Sequence, residues 1–256
     1  MAVRQWDPEQ YNRFAAEREQ PFWDLASLLD PVPAPRVADL GCGDGRLTSA
    51  LHHRIGARMT TGVDLSEEML AAAGPHAEPD VRFIRADIAA WTGPAVDVVM
   101  SNAALQWVPD HRAVLERWRQ GLAAGGQLAV QLPANADHAS HRIARELADE
   151  WLGPNAPPDP VAVNVLRPAD YAELLDALGF VRQHVRLQIY VHRLRHSAEV
   201  VEWTKGTSLT RLRGALGPEG HARFVDEYRR RLIGVLGERA PYPFTFARIL
   251  LWGRLP

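Results

Sequence analysis

Glycines and acidic residues near the start of this sequence could together bind a nucleotide-like ligand. The run DLGCGDG at 39–45 places three glycines at alternate positions after a short apolar stretch, and residues 46–51 then begin a helical pattern. A strand, a glycine turn and a helix N-terminus in that order are typical of nucleotide sites. Glycine allows a positive φ in the turn and removes the Cβ atoms that would keep a ligand away from the backbone.

The spacing of these glycines departs from the dinucleotide fingerprint. That fingerprint needs a third glycine three residues after the second, and Arg46 stands at that position. The acidic residue that should end the next strand and hold a ribose is present as Asp64. Asp39, Asp64 and Asp87 could each be a turn residue or a helix cap. Three acids at successive predicted strand ends together favour cofactor binding.

Strands and helices are predicted to alternate in the region that carries these residues. We expect strands near 36–40, 59–64, 80–84, 96–101 and 126–131, and helices near 45–55, 66–73 and 110–120. This alternation implies a parallel sheet with right-handed crossovers. Helices are also predicted at 8–18, 20–29, 141–151, 168–178 and within 197–238, where Gly214 and Gly217-Pro218 separate two or three of them, and strands at 181–190 and 244–252.

The bulk composition is that of an ordinary globular protein. The chain has 256 residues, 46% of them hydrophobic and 23% charged, with a net charge of −2. This charge argues against a strongly nucleic-acid-binding surface. The single cysteine excludes an intrachain disulfide, and no apolar run approaches the ~20 residues of a membrane span. We therefore expect a cytoplasmic protein without nucleic-acid or membrane partners, as a monomer or weak homo-oligomer.

Five segments together resemble the class I S-adenosylmethionine-dependent methyltransferases. DLGCGDG at 39–45 is similar to the first motif of that family, and GVDLS at 62–66 to its second strand with the ribose acid. FIRADI at 83–88 is similar to the adenine-edge segment, DVVMSNAALQW at 97–107 to the fourth-strand motif, and residues 122–128 to the turn into strand five. The resemblance covers roughly residues 35–132.

This resemblance implies S-adenosyl-L-methionine as the cofactor, with S-adenosyl-L-homocysteine as the product. It implies that Asp64 accepts the ribose hydroxyls, that Asp39 attracts the methionine ammonium, and that Asp87 and Ile88 address the adenine. The full predicted cofactor set is Trp6, Tyr11, Asp39, Gly41, Cys42, Gly43, Asp64, Leu65, Met69, Asp87, Ile88, Asn102, Ala103 and Gln106. A packed small side chain, rather than a redox or metal role, is the favoured interpretation of Cys42.

A narrower resemblance is to the trans-aconitate 2-methyltransferases. It lies in WDP at 6–8 with FAAER at 14–18, in NAALQWVPDH at 102–111 and in VQLP at 130–133. It implies a small carboxylic acid as substrate, which cationic and aromatic side chains would orient. The candidates are Arg18, Trp107, His141, Arg142, Tyr190, Trp203, Arg211, Arg213 and Arg248. No metal ligands are predicted, because the ten histidines are scattered.

The predicted fold class is α/β: a Rossmann-like class I methyltransferase fold with a seven-stranded, mostly parallel sheet, helices on both faces and a helical cap insertion. One domain is predicted over 1–256, with the cofactor-binding core at about 35–133. Helical cap insertions are predicted at about 134–166 and 195–240, where substrate specificity would be built. The N-terminal segment, about 1–30, is predicted to fold over the cofactor as a lid.

The predicted chemistry needs no triad and no general base. Methyl transfer from a sulfonium is an in-line displacement on carbon, and a carboxylate is already ionised at pH 7, so alignment of the reactants should supply most of the catalysis, ~7–11 kcal/mol. Three alternatives remain: a methyltransferase for another small acceptor, a non-catalytic S-adenosylmethionine-binding protein, and a nicotinamide-dependent oxidoreductase. Arg46 and the absence of a Tyr-x-x-x-Lys pair count against the oxidoreductase.

Overall fold

Seven strands form one sheet in the computed structural model of the protein, which describes residues 15–256. They are β1 (Arg36–Leu40), β2 (Met59–Asp64), β3 (Val81–Arg85), β4 (Val96–Asn102), β5 (Leu122–Pro133), β6 (Arg182–Leu194) and β7 (Tyr242–Arg254). Their order is β3-β2-β1-β4-β5-β7-β6, and only β7 runs antiparallel to its neighbours in the described sheet. The predicted seven-stranded, mostly parallel sheet is confirmed.

Helices connect the strands and cover both faces of the sheet. In chain order they are α1 (Ala15–Ala26), α2 (Arg46–Ile55), α3 (Glu67–Ala73), α4 (His111–Gln120), α5 (Ala139–Leu152), α6 (Pro160–Asn164), α7 (Pro168–Ala177), α8 (Glu199–Lys205) and α9 (Arg213–Leu236). Short 3₁₀ helices lie at Gly74–His76, Ile88–Ala90, Leu105–Trp107, Gly153–Asn155 and Ser208–Leu212. The predicted helices at 45–55, 66–73, 110–120, 141–151 and 168–178 correspond to α2, α3, α4, α5 and α7.

The central strands of the sheet are buried on both faces, since their successive side chains point in opposite directions and helices pack on each side. Val99 of β4 packs into a hydrophobic cluster with α4 and α7, whereas its neighbours Val98 and Met100 pack into another with α1 and α2. This arrangement agrees with the nearly continuous apolar run of β4. At the carboxyl end of β4, Asn102 is half-buried at the edge where open α/β sheets bind ligands.

Two predictions at the helices are wrong in detail. A helix boundary was expected before residue 20, but Pro21 lies inside α1, which starts at Ala15 in the described chain. Burial of Phe22 and Leu25 against the sheet offsets the hydrogen bond that Pro21 cannot donate. A break was also expected at Gly214. Gly214 instead lies within α9, and the break inside this helix is at Gly217 (φ +66°), as also predicted, because the residue before Pro218 is disfavoured in the helical region.

Helix α5, after β5, packs against α8 and α9, after β6, rather than against the central strands of the sheet. Trp203 of α8, Phe224 and Tyr228 of α9, and Leu147 of α5 form one buried cluster with Phe244 at the start of β7. The two regions predicted to be insertions are therefore helical and share a core beside the carboxyl end of the sheet. Their role as a cap over a substrate, and the single-domain organisation, stay predictions.

Candidate functional site

The glycine loop after β1 and the loop after β4 meet at the point where the strand order reverses. Gly41 has φ +87°, and a Cβ placed on it would lie 2.1 Å from the Cβ of Ala104. Only glycine allows these two loops to approach so closely. Ala103 also has a positive φ of +54°, and its N–H donates to the carbonyl of Gln131 on β5. In open α/β sheets, such a reversal point at the carboxyl edge is where ligands bind.

Asp64 is tied to the glycine loop by its carboxylate. The Gly43 N–H donates to Asp64 Oδ2 at 2.9 Å, and the Ser66 N–H donates to Asp64 Oδ1 at 2.9 Å. Each carboxylate oxygen keeps a second lone pair that a hydroxyl could use. Asp64 is half-buried at the end of β2, directly beside Gly43. The geometry is compatible with a ribose ligand, and that role stays a prediction.

Asp39 is a buried carboxylate below the glycine loop. Its side chain is 2% exposed, and the Thr48 hydroxyl donates to its Oδ2 at 2.6 Å. Burial raises the pKa of Asp39 to about 6, the nearby charge of Asp64 adds to the rise, and the Thr48 hydrogen bond opposes it. No basic side chain of the described residues forms an ion pair with Asp39. A bound cation would therefore favour the ionised form of this carboxylate.

The remaining predicted adenosine contacts divide into buried and exposed positions. Cys42, Met69 and Ile88 are buried, and burial raises the pKa of the Cys42 thiol, which argues against a reactive thiolate. Leu65 is exposed. Asp87 is exposed too, and its Oδ1 accepts from the Ala89 N–H at 2.8 Å, so it caps the 3₁₀ helix Ile88–Ala90. One of its oxygens thus remains available to solvent or a ligand.

Two amide side chains after β4 present oxygen atoms without a hydrogen-bond partner. Asn102 Oδ1 and Gln106 Oε1 are both buried, and neither accepts a hydrogen bond from any described residue. The amide orientation of Gln106 is defined, because its Nε2 donates to the Ala103 carbonyl at 2.6 Å. Buried acceptors of this kind cost free energy unless a donor fills them. They suit a donor such as a ligand ammonium group, and the predicted cofactor role of Asn102 and Gln106 stays a prediction.

A second group of predicted residues lies on β6, β7 and α8. Arg248 is buried, donates from Nη1 to Gln131 Oε1 at 3.1 Å, and lies 4.7 Å above the ring of Phe246. Trp203 stacks on His192 with ring centroids 4.8 Å apart, and its ring also approaches Phe246 at 5.6 Å. The buried guanidinium of Arg248 therefore lies between Gln131, at the end of β5, and the aromatic rings of Phe246 and Trp203. Such surroundings suit a planar anion.

Arg211 and His141 meet around a buried aspartate that the sequence analysis missed. The His141 Nδ1 donates to Asp159 Oδ2 at 2.9 Å, and Arg211 Nη1 donates to the carbonyl of Pro157, two residues earlier. Burial alone would raise the pKa of Asp159. The hydrogen bond from His141 and the positive charges of His141 and Arg211 outweigh it and hold the pKa at about 2. An Asp-Pro pair signals a helix start, but not this ion-pair network.

We expect Asp159→Asn to lower the free energy of unfolding by about 3 kcal/mol at pH 7, because it removes the charge from a buried ion pair. Asparagine retains an oxygen for the Val161 N–H that Asp159 Oδ1 now caps. The stabilisation belongs to the ionised carboxylate, so it is complete above the ordinary pKa near 4 and is lost as the pH falls toward 2. Urea unfolding measures the change, with the exposed Asp137→Asn as control; equal stabilities would contradict the prediction.

Other predicted substrate residues are placed differently. Arg213 is exposed at the start of α9, whereas Arg211 is buried in the preceding 3₁₀ helix. Arg142 is exposed and paired with Glu146, and the Tyr190 hydroxyl donates to Asp24 Oδ2 at 2.8 Å. Trp107 is half-buried in Leu105–Trp107. Trp6, Tyr11 and the side chain of Arg18 lie outside the described residues, as does the first half of the predicted lid; the second half contains α1, and its role as a lid stays a prediction.

Neither a metal centre nor a membrane span is found in the part of the chain that the structure describes. Within that part, no group of three or more histidine, cysteine, aspartate or glutamate side chains could hold a metal ion. The helices of the same part are all too short or too polar to cross a bilayer.

Solved structures support the fold. The Bacillus subtilis YcgJ protein superposes with a TM-score of 0.63 at 14% identity, covering 93% of this chain and 98% of that one. A Haemonchus contortus phosphoethanolamine N-methyltransferase 2, in complex with phosphomonomethylethanolamine and S-adenosylhomocysteine, gives a TM-score of 0.58 at 16% identity, covering 93% of this chain and 52% of that one. The predicted class I methyltransferase fold is confirmed.

Sequence relatives are closer and cover nearly the whole chain. A methyltransferase domain family matches residues 37–126. A trans-aconitate 2-methyltransferase of Deinococcus radiodurans is 42% identical over 250 residues, covering 94% of this chain and 95% of the relative. One of Streptomyces avermitilis is 41% identical over 255 residues, covering 95% and 92%. The oxidoreductase alternative is thereby set aside, and this chain belongs to the trans-aconitate 2-methyltransferase family.

Proposed function

We propose that this protein transfers a methyl group from S-adenosylmethionine to one carboxylate of trans-aconitate, giving the monomethyl ester and S-adenosylhomocysteine. The observation that carries the proposal is that its identity to relatives named for this reaction extends over 94% of the chain. The matched length therefore includes the helices after β5 and β6, where an acceptor would be selected. In this region the buried Arg211 lies near the ion pair of His141 with Asp159, because it donates to the carbonyl of Pro157.

The residues around the glycine loop fit the cofactor. Asn102 Oδ1 and Gln106 Oε1 are buried acceptors that a methionine ammonium could satisfy, and the carboxylate of Asp39 lies below the same loop. The backbone at Gly43 is open on the side where a Cβ would point. Asp64 would hold the ribose hydroxyls. When bound, S-adenosylmethionine supplies an electrophilic methyl group on a positively charged sulfur.

The substrate side of the proposed site is cationic and aromatic. Arg248 and Arg211 are both buried, and their guanidinium groups can bind carboxylates through two parallel hydrogen bonds. Trp203 and Phe246 would form the wall against the carbon skeleton. A substrate carboxylate is ionised at neutral pH, so these residues need only bind and orient it, and none has to remove a proton.

Transfer of a labelled methyl group from S-adenosylmethionine to a panel of small acids tests the proposal. The panel contains trans-aconitate, cis-aconitate, citrate and isocitrate, and we expect strong preference for trans-aconitate. Calorimetry with S-adenosylhomocysteine measures cofactor binding separately. Equal or better turnover of another acid would overturn the substrate assignment. Cofactor binding without any labelled product would overturn the proposed activity and favour a binding role or another acceptor.

A further inference from the structure

Unsatisfied buried amides mark the carboxyl end of β5 as well as that of β4. Gln131 lies on β5 with no exposed surface, and Asn135 follows two residues after the strand with 5% exposure. Gln131 Nε2, Asn135 Nδ2 and Asn135 Oδ1 are all buried without a hydrogen-bond partner among the described residues. Each such group costs about 1–3 kcal/mol when left unpaired. No hydrogen bond within the described residues accounts for these atoms at either of the two positions.

The orientation of the Gln131 amide follows from its neighbour. Arg248 Nη1 lies 3.1 Å from Gln131 Oε1, and a guanidinium can only donate hydrogen bonds. The oxygen of the amide must therefore face Arg248, and the NH₂ group must face the other way. Gln131 thus positions two unused N–H donors close to a buried cation. Both features attract an anion.

Asn135 is held at the same edge by its backbone. The Ala134 N–H donates to the Ala247 carbonyl at 2.9 Å, which continues the pairing of β5 with β7 by one residue. Asn135 consequently stands level with Phe246 in the antiparallel register, next to the position of Arg248. Its own carbonyl accepts from the His138 N–H at 3.0 Å, which defines the turn into α5. The Asn135 side chain takes no part in these backbone hydrogen bonds.

The unpaired atoms of Asn102 and Gln106 after β4 differ in kind from that of Gln131 on β5, whereas Asn135 has both an unpaired oxygen and an unpaired nitrogen. After β4 the unpaired atoms are the oxygens of Asn102 and Gln106, which suit a cation. On β5 the unpaired Gln131 atom is a nitrogen, and it lies beside Arg248. The methionine ammonium is the cation of the proposed reaction, and the substrate carboxylates are its anions. The β5 edge is therefore the side of the site that faces the acceptor.

We infer that the side-chain amides of Gln131 and Asn135 bind carboxylates of the acceptor, Gln131 through its NH₂ group beside Arg248 and Asn135 through its Nδ2. These residues thus determine specificity for a polycarboxylate. The inference rests on the proposed function, because it names the residues that select the acceptor of that reaction. Neutral donors beside Arg248 add recognition without adding a further buried charge.

Two substitutions test this assignment. Gln131→Glu keeps the shape and the contact with Arg248 but replaces the NH₂ donor by an acceptor, and Asn135→Ala removes the side chain. We expect each to raise the KM for trans-aconitate at least about 10-fold, the effect of one hydrogen bond to a charged group. The affinity for S-adenosylhomocysteine should change less than about 2-fold. Gln183→Glu, at an exposed position at the opposite end of the sheet, is the matched control.

A direct binding measurement separates this inference from the proposed activity. Calorimetric titration of trans-aconitate into protein saturated with S-adenosylhomocysteine requires no methyl transfer. Weaker binding by both variants, with wild-type affinity in Gln183→Glu, supports the inference even if no ester forms. Unchanged affinity in both variants, an equal loss of cofactor affinity, or no binding of trans-aconitate by the wild-type protein would overturn it. Failure of the proposed activity alone is seen as binding without labelled product.

A substrate lacking one carboxylate provides the readout that a merely structural role would not give. If an amide binds a given carboxylate, then a dicarboxylate without that group should bind wild-type and variant protein equally. trans-Glutaconate, which lacks the central carboxylate, and itaconate, which lacks a different one, are suitable probes. A penalty that persists with both probes and also with mesaconate, which lacks the third carboxylate, would mean that the amides act on the fold and not on a carboxylate.

Discussion

Gly41→Ala is expected to abolish measurable cofactor binding and to lower the free energy of unfolding by about 3 kcal/mol. Gly41 has φ +87°, which costs an alanine about 1–2 kcal/mol, and its new Cβ would overlap the Cβ of Ala104 at 2.1 Å. Ala104 cannot rotate this atom away, so the loop after β4 must shift, at a further cost of about 1–3 kcal/mol. That shift would displace Asn102 and Gln106 as well. Urea unfolding and calorimetry with S-adenosylhomocysteine measure the two effects.

Gly43→Ala is the matched control, because it shares the positive φ without the collision. Gly43 has φ +57°, and a Cβ there would have no atom within 4 Å. We expect a loss of only about 1–2 kcal/mol in stability. Cofactor affinity should still fall, since the methyl group would occupy the space where the ligand approaches the backbone. Equal stability of the Gly41 and Gly43 variants would mean that the two loops do not depend on this contact.

The fold around the proposed cofactor site was predictable because its signals are local. The predicted strands at 36–40 and 59–64 agree with β1 and β2, and Asp64 stands beside Gly43 through a hydrogen bond of 2.9 Å. A glycine turn between a strand and a helix defines its own geometry within a few residues. The start of β5 was predicted less well. The strand expected at 126–131 begins earlier, at Leu122, because the register with β4 shifts between Val96 and Val98 and so extends the pairing.

The contacts of the proposed acceptor site were only partly predictable because they connect distant parts of the chain. Gln131 and Arg248 are 117 residues apart and meet through strand pairing that no local pattern shows. The choice between Arg211 and Arg213 depends on a 3₁₀ helix that ends at Leu212, which changes the angular position of each side chain. Periodicity of an α-helix could not separate them. The role of Asp159 was missed because its partners are distant in sequence: His141 lies in α5, and Arg211 lies in the 3₁₀ helix Ser208–Leu212.

Asp39→Asn is expected to change stability and cofactor affinity in opposite directions. Burial holds the pKa of Asp39 at about 6, against an ordinary value of 3.8. Between about pH 4 and pH 6 the folded protein retains a proton that the unfolded chain has released, so stability falls as pH rises. Above pH 6 the buried charge costs about 3 kcal/mol, as two pKa units imply. A neutral amide of the same shape avoids this cost, so we expect the variant to be more stable at pH 7.5.

The cofactor should show the opposite preference, because its methionine ammonium is the cation that the Asp39 carboxylate is proposed to attract. Affinity for S-adenosylmethionine in the wild-type protein should rise with pH through about 6, as Asp39 ionises, and should level off above pH 7. In Asp39→Asn the affinity should be at least about 10-fold weaker at pH 7.5, the effect of one hydrogen bond to a charged group, and should lose this pH dependence. Calorimetry from pH 5 to pH 8 measures both proteins.

An equal pH dependence in the variant would assign the titration to another group. A variant that is less stable than the wild type at pH 7.5 would show that the Asp39 carboxylate stabilises the fold, and the buried charge would then have a structural role besides binding the cofactor.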